Sequence, residues 1–347
     1  MGCGCNFINK YHKEKEFLDQ NFINYEEMME SIKNDPSKLK SLIKIQRFYR
    51  KKYFPHKNNV ISKENSMILT PTQDPITNSD SKITLTIPEE ELTTLLKELP
   101  PLSDGISVKI NGPIKDDNYN SVYLGEWDFS KNVKHGRGIQ VYSEGSKYFG
   151  YWVQDKANIK GKLIHSDGDV YEGEWLDNQP NGKGKYFHQD GTIYEGDWRN
   201  DKQHGKGKEK WPDGSWYEGD YIQGMKQGKG IFHWADNSEY KGEFKNNNIN
   251  GIGTYTFGDG REYTGSWVNN KLDGKGVFTW PDKRKYEGEY KNDKKEGFGT
   301  FYWNDGKIYK GYWKNGKQDG KGEFYNPKEK IWKKGIWKAG IKVKWEN

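Results

Sequence analysis

A tyrosine recurs every 23 residues along this chain, at 148, 171, 194, 217, 240, 263, 286 and 309, with an earlier copy at Tyr123 whose loop holds two extra residues. A fixed period of this length marks a repeat architecture, in which each unit is one small supersecondary element that leans on its neighbours. Glycine stands two places after each tyrosine, and an aromatic residue two places after that. The series includes Tyr171 and Trp175, Tyr194 and Trp198, Tyr217 and Tyr221, Tyr240 and Phe244, Tyr263 and Trp267, and Tyr286 and Tyr290. Spacing of two is strand spacing, because alternate side chains of a strand share a face. These rings therefore point one way, and charged residues such as Glu172 and Glu174 point the other. A helix would scatter the same positions around its circumference.

The second half of each unit repeats the device, with Gly182 and Gly184 before Tyr186, and Gly274 and Gly276 before Phe278 and Trp280. Asp-Gly pairs at 167–168, 190–191, 213–214, 259–260 and 305–306 occupy one position of the unit, where a hairpin requires positive φ. Each unit thus reads as a β-hairpin. An isolated hairpin is marginal in water, so stacked units are expected to form one antiparallel meander. Nine hairpins give about 18 strands and, at roughly 4.8 Å per strand, a sheet on the order of 85 Å long. Composition agrees. Only 32% of residues are hydrophobic while 15% are aromatic and 41 are glycine, which suits a thin all-β sheet whose buried layer is made of rings.

The stretches YEGEW, GKG and DG at this spacing resemble MORN repeats (membrane occupation and recognition nexus). The resemblance implies an elongated single-layer antiparallel sheet with a shallow aromatic groove, used for protein or lipid contacts and often for cytoskeletal assembly. Two departures are local: Ile159 replaces the first glycine of a second strand, and Lys328-Glu329 replaces the Asp-Gly turn of the ninth unit. A partial tenth unit with Trp332, Gly335 and Trp337 is expected to close the end.

The region ahead of the repeats divides into three parts. Residues 1–36 open with MGCGCN, where loss of Met1 would expose Gly2 to myristoylation and place Cys3 and Cys5 for palmitoylation. Asn6 stands where that motif prefers Ser or Thr. One myristoyl chain holds a membrane marginally, and a second acyl chain makes the attachment durable. The segment 37–57 carries eight Lys or Arg and no acid. Within it Leu42, Ile45, Gln46, Arg47, Arg50, Lys51 and Lys52 resemble the first half of an IQ motif, a calmodulin-type binding helix. Lys51 takes the place of the expected glycine and Pro55 ends the helix. A basic amphipathic helix of this kind suits either a calmodulin-like partner or an anionic lipid membrane, or else packs on its own protein. Residues 58–122 read as a linker with a strand at 84–87 and a short helix at 88–99, a leucine-faced lid or cap for the repeat array at 123–347. Pro88 suits its first turn, and leucines at 92, 95, 96 and 99 line one face.

The net charge of +6 arises from 56 basic and 50 acidic residues that are interspersed, the pattern of a solvated surface rather than of a nucleic-acid ligand. No phosphate-cradling loop, metal-ligand spacing or isolated carboxylate pair appears, so neither catalysis, cofactor nor metal is expected. The sequence reads as a non-enzymatic scaffold or adaptor. Its sheet binds protein partners, and its N-terminus tethers them to the inner face of a membrane from the cytoplasm. The alternative is a structural component of a cilium, axoneme or other microtubule-based assembly without a lipid anchor. Nothing in the repeats forbids a homodimer.

Overall fold

The structure is a computed structural model that describes residues 87–117 and 119–346. Gly2, Cys3, Cys5, the basic segment 37–57 and most of the predicted strand at 84–87 lie outside the described residues.

Among the described residues twenty-one strands, from β1 (Lys109–Asp116) to β21 (Ile341–Trp345), form one open sheet. Each strand pairs antiparallel with the next in sequence, so the sheet is a continuous meander. The nine expected hairpins run from β2 (Ser121–Asp128) to β19 (Lys317–Asn326). The sheet also extends past them at both ends. β1 pairs with β2 ahead of the first repeat, and the partial tenth unit adds β20 (Ile331–Lys338) and β21.

Two kinds of turn alternate. Inside a hairpin, paired residues such as Asp177-Asn178 and Asn200-Asp201 both take positive φ, 48° and 67° in the first case and 49° and 64° in the second. That is the two-residue turn whose twist matches the flanking strands, and it explains the Asn and Asp found there. Between hairpins the glycine of each Asp-Gly pair takes positive φ, as at Gly168 and Gly214, and the aspartate receives the chain beyond it. The Asp213 carboxylate, for example, accepts hydrogen bonds from the Ser215 amide at 2.9 Å and hydroxyl at 2.6 Å.

The leucine-rich helix forms as α1 (Glu89–Glu98). Glu89, Glu90 and Glu91 lie in its first turn and Lys97 in its last, each sign opposing the helix dipole. Its place on the sheet differs from that of a lid over the aromatic rings. Leu92, Leu95 and Ile87 are buried with Leu124, Ile139 and Val141. These sheet residues alternate with Tyr123 and Gln140 along β2 and β3 (Val133–Tyr142), so α1 covers the face opposite the rings. Arg137 ties it down, pairing with Glu126 at 2.5 Å while donating to the Leu96 and Leu99 carbonyls at 3.1 and 2.9 Å.

Candidate interaction surfaces

The repeated tyrosine and glycines form one device. In the unit starting at Tyr171 the phenol ring lies across Gly173 of its own strand and Gly184 of the next. A Cβ at either glycine would collide with the Tyr171 ring or hydroxyl. The register between the two strands slips after Gly173, and there the Tyr171 hydroxyl donates to the Glu174 carbonyl at 2.8 Å. All nine repeat tyrosines make this bond to the third residue on, at 2.7–3.1 Å. Burial pushes their phenol pKa values up.

The aromatic residue two places after the glycine joins one unit to the one before. The Trp175 ring meets Tyr171 at 5.3 Å and Tyr148 at 5.0 Å, both edge-to-face, and its indole N–H donates to the Gly161 carbonyl at 3.1 Å. Trp198 repeats these contacts with Tyr194, Tyr171 and Gly184. The result is a zipper of T-shaped ring pairs running from Tyr123 and Trp152 to Tyr309 and Trp337, with Trp127 tilted against Tyr123 at its start. Each such pair adds roughly 0.5–1.5 kcal/mol beyond the area it buries. Trp127 comes first in the row, and its buried indole N–H makes no hydrogen bond.

Tyr171, Trp175, Tyr194, Trp198, Tyr217, Tyr221, Tyr240, Phe244, Tyr263, Trp267, Tyr286 and Tyr290 all belong to this inner row and are at most 8% exposed. They hold the hairpins together and offer little area to a partner. The surface lies instead in an outer row from the second strands and following turns. Its rings touch in an unbroken path from Trp211 through Phe232, Trp234, Tyr255, Phe257, Phe278, Trp280, Phe301 and Trp303 to Phe324, with centroids 4.4–6.0 Å apart. Trp211, Trp234, Phe257, Trp280 and Trp303 are only partly buried. In the first units the same positions hold Leu163 and His165, then Tyr186 and His188, so the aromatic band occupies the later repeats. The sequence signal was present as an aromatic pair at the end of the second strand from Phe232 and Trp234 to Phe301 and Trp303, but spacing alone does not separate a covered row from an open one.

Within the repeats, Lys134, Lys226 and Lys295 lie over rings on this face. Lys134 pairs with Asp116 at 2.7 Å, and Lys226 pairs with Glu209 at 2.6 Å. Lys295 stands 4.5–5.4 Å from the centroids of Trp280, Tyr286, Phe301 and Trp313.

The opposite face is lined by cross-strand ion pairs such as Lys208–Glu218 at 2.6 Å and Lys206–Asp220 at 2.5 Å. It forms a broad open trough of about 1600 Å³ between Lys160 and Ile252. A broad concavity thus lies on the charged face, away from the rings. Exposed pairs of this kind contribute about 0–1 kcal/mol each, so they serve solubility more than stability. Among the described residues no group of His, Cys, Asp and Glu is placed to hold a metal, and no helix is long and apolar enough to cross a membrane.

The MORN repeat signature matches nine successive segments of the chain, from 123–147 through 171–193 and 240–260 to 309–328. The chain belongs to the MORN-repeat family. The family is a non-catalytic repeat scaffold, and its signature coincides with the hairpins that carry the tyrosine-over-glycine device. No curated relative matches the chain at the sequence level. Among solved structures, the TCP10 domain of Danio rerio CPAP, in complex with a peptide of Danio rerio STIL, is 14% identical. That likeness covers 61% of this chain and 94% of the other at a TM-score of 0.38. The TCP10c domain of Drosophila melanogaster Sas-4 is 12% identical over 53% of this chain and 100% of its own, at a TM-score of 0.27. At these scores neither likeness bears on what this MORN protein binds.

Proposed function

We propose that this MORN protein is a scaffold whose outer aromatic band binds a protein partner, while acylation at Gly2, Cys3 and Cys5 tethers the assembly to the cytoplasmic face of a membrane. The observation that carries the reading is the unbroken path of rings from Trp211 to Phe324, in which every ring but the buried Phe278 and Phe301 is partly exposed. Contiguous apolar surface of this kind marks an interaction site, and aromatic anchors dominate the energetics of such sites. The inner row is covered by the fold, whereas the partly buried outer rings, which also touch from one unit to the next, keep exposed area for contacts beyond the fold.

The tether and the band are tested separately. Metabolic labelling with a myristate analogue should mark the wild-type chain and not Gly2→Ala, and Gly2→Ala should leave the membrane fraction. Unlabelled wild type that still sediments with microtubule-based structures would overturn the tether in favour of a cilium or axoneme component. Replacing Trp234, Trp280 and Trp303 together by serine should abolish partner capture while leaving labelling intact. Unchanged capture would remove the band from the account.

The basic segment 37–57 is assigned to a calmodulin-like partner, with Ile45 buried in the partner and Gln46 hydrogen-bonded to its backbone. A 37–57 peptide should bind calmodulin and lose that binding with Ile45→Ala and Gln46→Ala together. Retained liposome binding lost instead on Lys51→Glu with Lys52→Glu would assign the segment to anionic lipid, where each basic residue contributes roughly 1 kcal/mol.

A further inference from the structure

Repetition supplies an internal control for Lys295, in β17 (Lys294–Tyr302). Lys226 occupies the same position three repeats earlier. Its ammonium lies over Trp211, Tyr217 and Tyr221 at 4.9–5.5 Å. The Glu209 carboxylate completes that site, accepting from the Lys226 Nζ at 2.6 Å and the Tyr221 hydroxyl at 3.0 Å. Three repeats on, Trp280, Tyr286 and Tyr290 replace the three rings, but Phe278 stands where Glu209 stood. Lys295 keeps the aromatic floor and has no carboxylate within ion-pair distance among the described residues.

The cations around it are otherwise accounted for. Arg261, Arg284 and Lys307 each pair with the aspartate of their own turn, Asp259, Asp282 and Asp305, at 2.6–2.7 Å. Lys295 alone in this group of four has none. Burial among the rings, with the Arg284 guanidinium nearby, lowers its ammonium to about 8. A partly desolvated ammonium without a counter-ion is costly. The fold does not require it, because Leu272 and Ile249 occupy the same position in the two preceding units. Cation–π contact supplies part of the compensation and leaves the side facing solvent open to an anion.

We propose that Lys295 is the seat for a carboxylate of an acidic protein segment, which lays its apolar neighbours on Trp280, Trp303 and Phe324 of the outer band. The inference rests on the reading of that band as a partner surface. Glu209 shows that a carboxylate beside these rings can hold the lysine ammonium; Phe278 fills that position here, so the incoming carboxylate reaches Lys295 from the solvent side. One ammonium beside the aromatic floor matches a single carboxylate.

Full-length protein is incubated with three synthetic nonapeptide pools, randomised except at the centre, which is glutamate, glutamine or phosphoserine. Retention of each pool is measured for wild type and variants. The glutamate pool should be held roughly five- to tenfold more strongly than the glutamine pool. Lys295→Leu, which copies Leu272, should erase that preference, and so should Phe278→Glu, which supplies the carboxylate from within. Lys226→Leu should leave it unchanged. Equal retention of glutamate and glutamine pools, or a preference that survives Lys295→Leu, overturns the seat. A stronger preference for phosphoserine replaces the carboxylate by a phosphate and overturns the proposal as stated. If the pools bind equally but Trp280→Ser with Trp303→Ser abolishes binding, the band stands and the seat falls. If no pool binds, both fall.

Discussion

At Gly219 the missing side chain is what lets the Tyr217 ring lie flat on the sheet. An added Cβ would land on the Tyr217 hydroxyl and the Gly230 Cα. Gly219→Val should therefore destabilise its unit by about 3 kcal/mol or more, since overpacking here has backbone on one side and a locked ring on the other. Chemical denaturation of the variant checks this, and an unchanged midpoint would contradict the packing. Ile159 is the converse case. It stands at a strand position where Gly182 and Gly274 take positive φ, and it is held at φ 62° with its side chain 45% exposed. A β-branched residue is strained there, so Ile159→Gly should stabilise by about 1 kcal/mol despite the flexibility glycine adds to the unfolded chain. Lower stability in urea would show that the exposed side chain contributes more than the strain costs.

The tyrosines also set the alkaline limit. Burial raises their phenol pKa values in the folded state above the unfolded value of about 10. A raised pKa contributes stability that is intact below the unfolded value and is lost as pH climbs towards the folded one. Stability should be insensitive to these groups at neutral pH and fall steeply above about pH 10. Tyrosinate absorbance should then rise together with loss of strand circular dichroism. Ionisation of the inner-row phenols with the sheet intact would contradict their burial.

Elements depend on their neighbours rather than on a central core. α1 caps the charged face over β2, β3 and β4 (Lys147–Val153), and its buried Leu95 is 6% exposed. Leu95→Ala should cost about 2–4 kcal/mol locally. Hydrogen exchange should quicken in β2 to β4 and remain unchanged from β16 (Lys285–Lys291) onward, because repeat arrays couple mainly adjacent units. Equal acceleration along the sheet would mean that the array unfolds as one block. The hairpins themselves were legible in the sequence, since the period of two and the Asn and Asp turns leave few other folds for Tyr171 to Trp175. The helix was legible too, but not its face. Which side it covers follows from Leu124, Ile139, Val141 and Phe149 replacing charged residues on three adjacent strands, a pattern visible only once the register is known. β1 escaped notice because Pro113 interrupts an otherwise charged segment.

For the whole molecule, the meander separates two tasks that a globular core would combine. The inner zipper binds hairpin to hairpin under cover, and the outer band adds contacts between units while leaving part of its ring surface open. That division was not readable from spacing, because Tyr171 and Trp280 both repeat with the period of the fold. Their difference in exposure arises from how closely neighbouring hairpins close over each row. The absence of a counter-ion at Lys295 was equally hidden, since Glu209 and Lys226 meet across an intervening strand. The central claim is that partners dock on the aromatic band rather than in the charged trough. It is tested most directly by placing a photo-crosslinking amino acid at Trp280 or Trp303 on one face, and at Ile252 or Lys229 on the other, in full-length protein expressed in its native cells. Crosslinks to a protein partner are expected from 280 and 303 only. Crosslinks confined to 229 and 252 would contradict the claim.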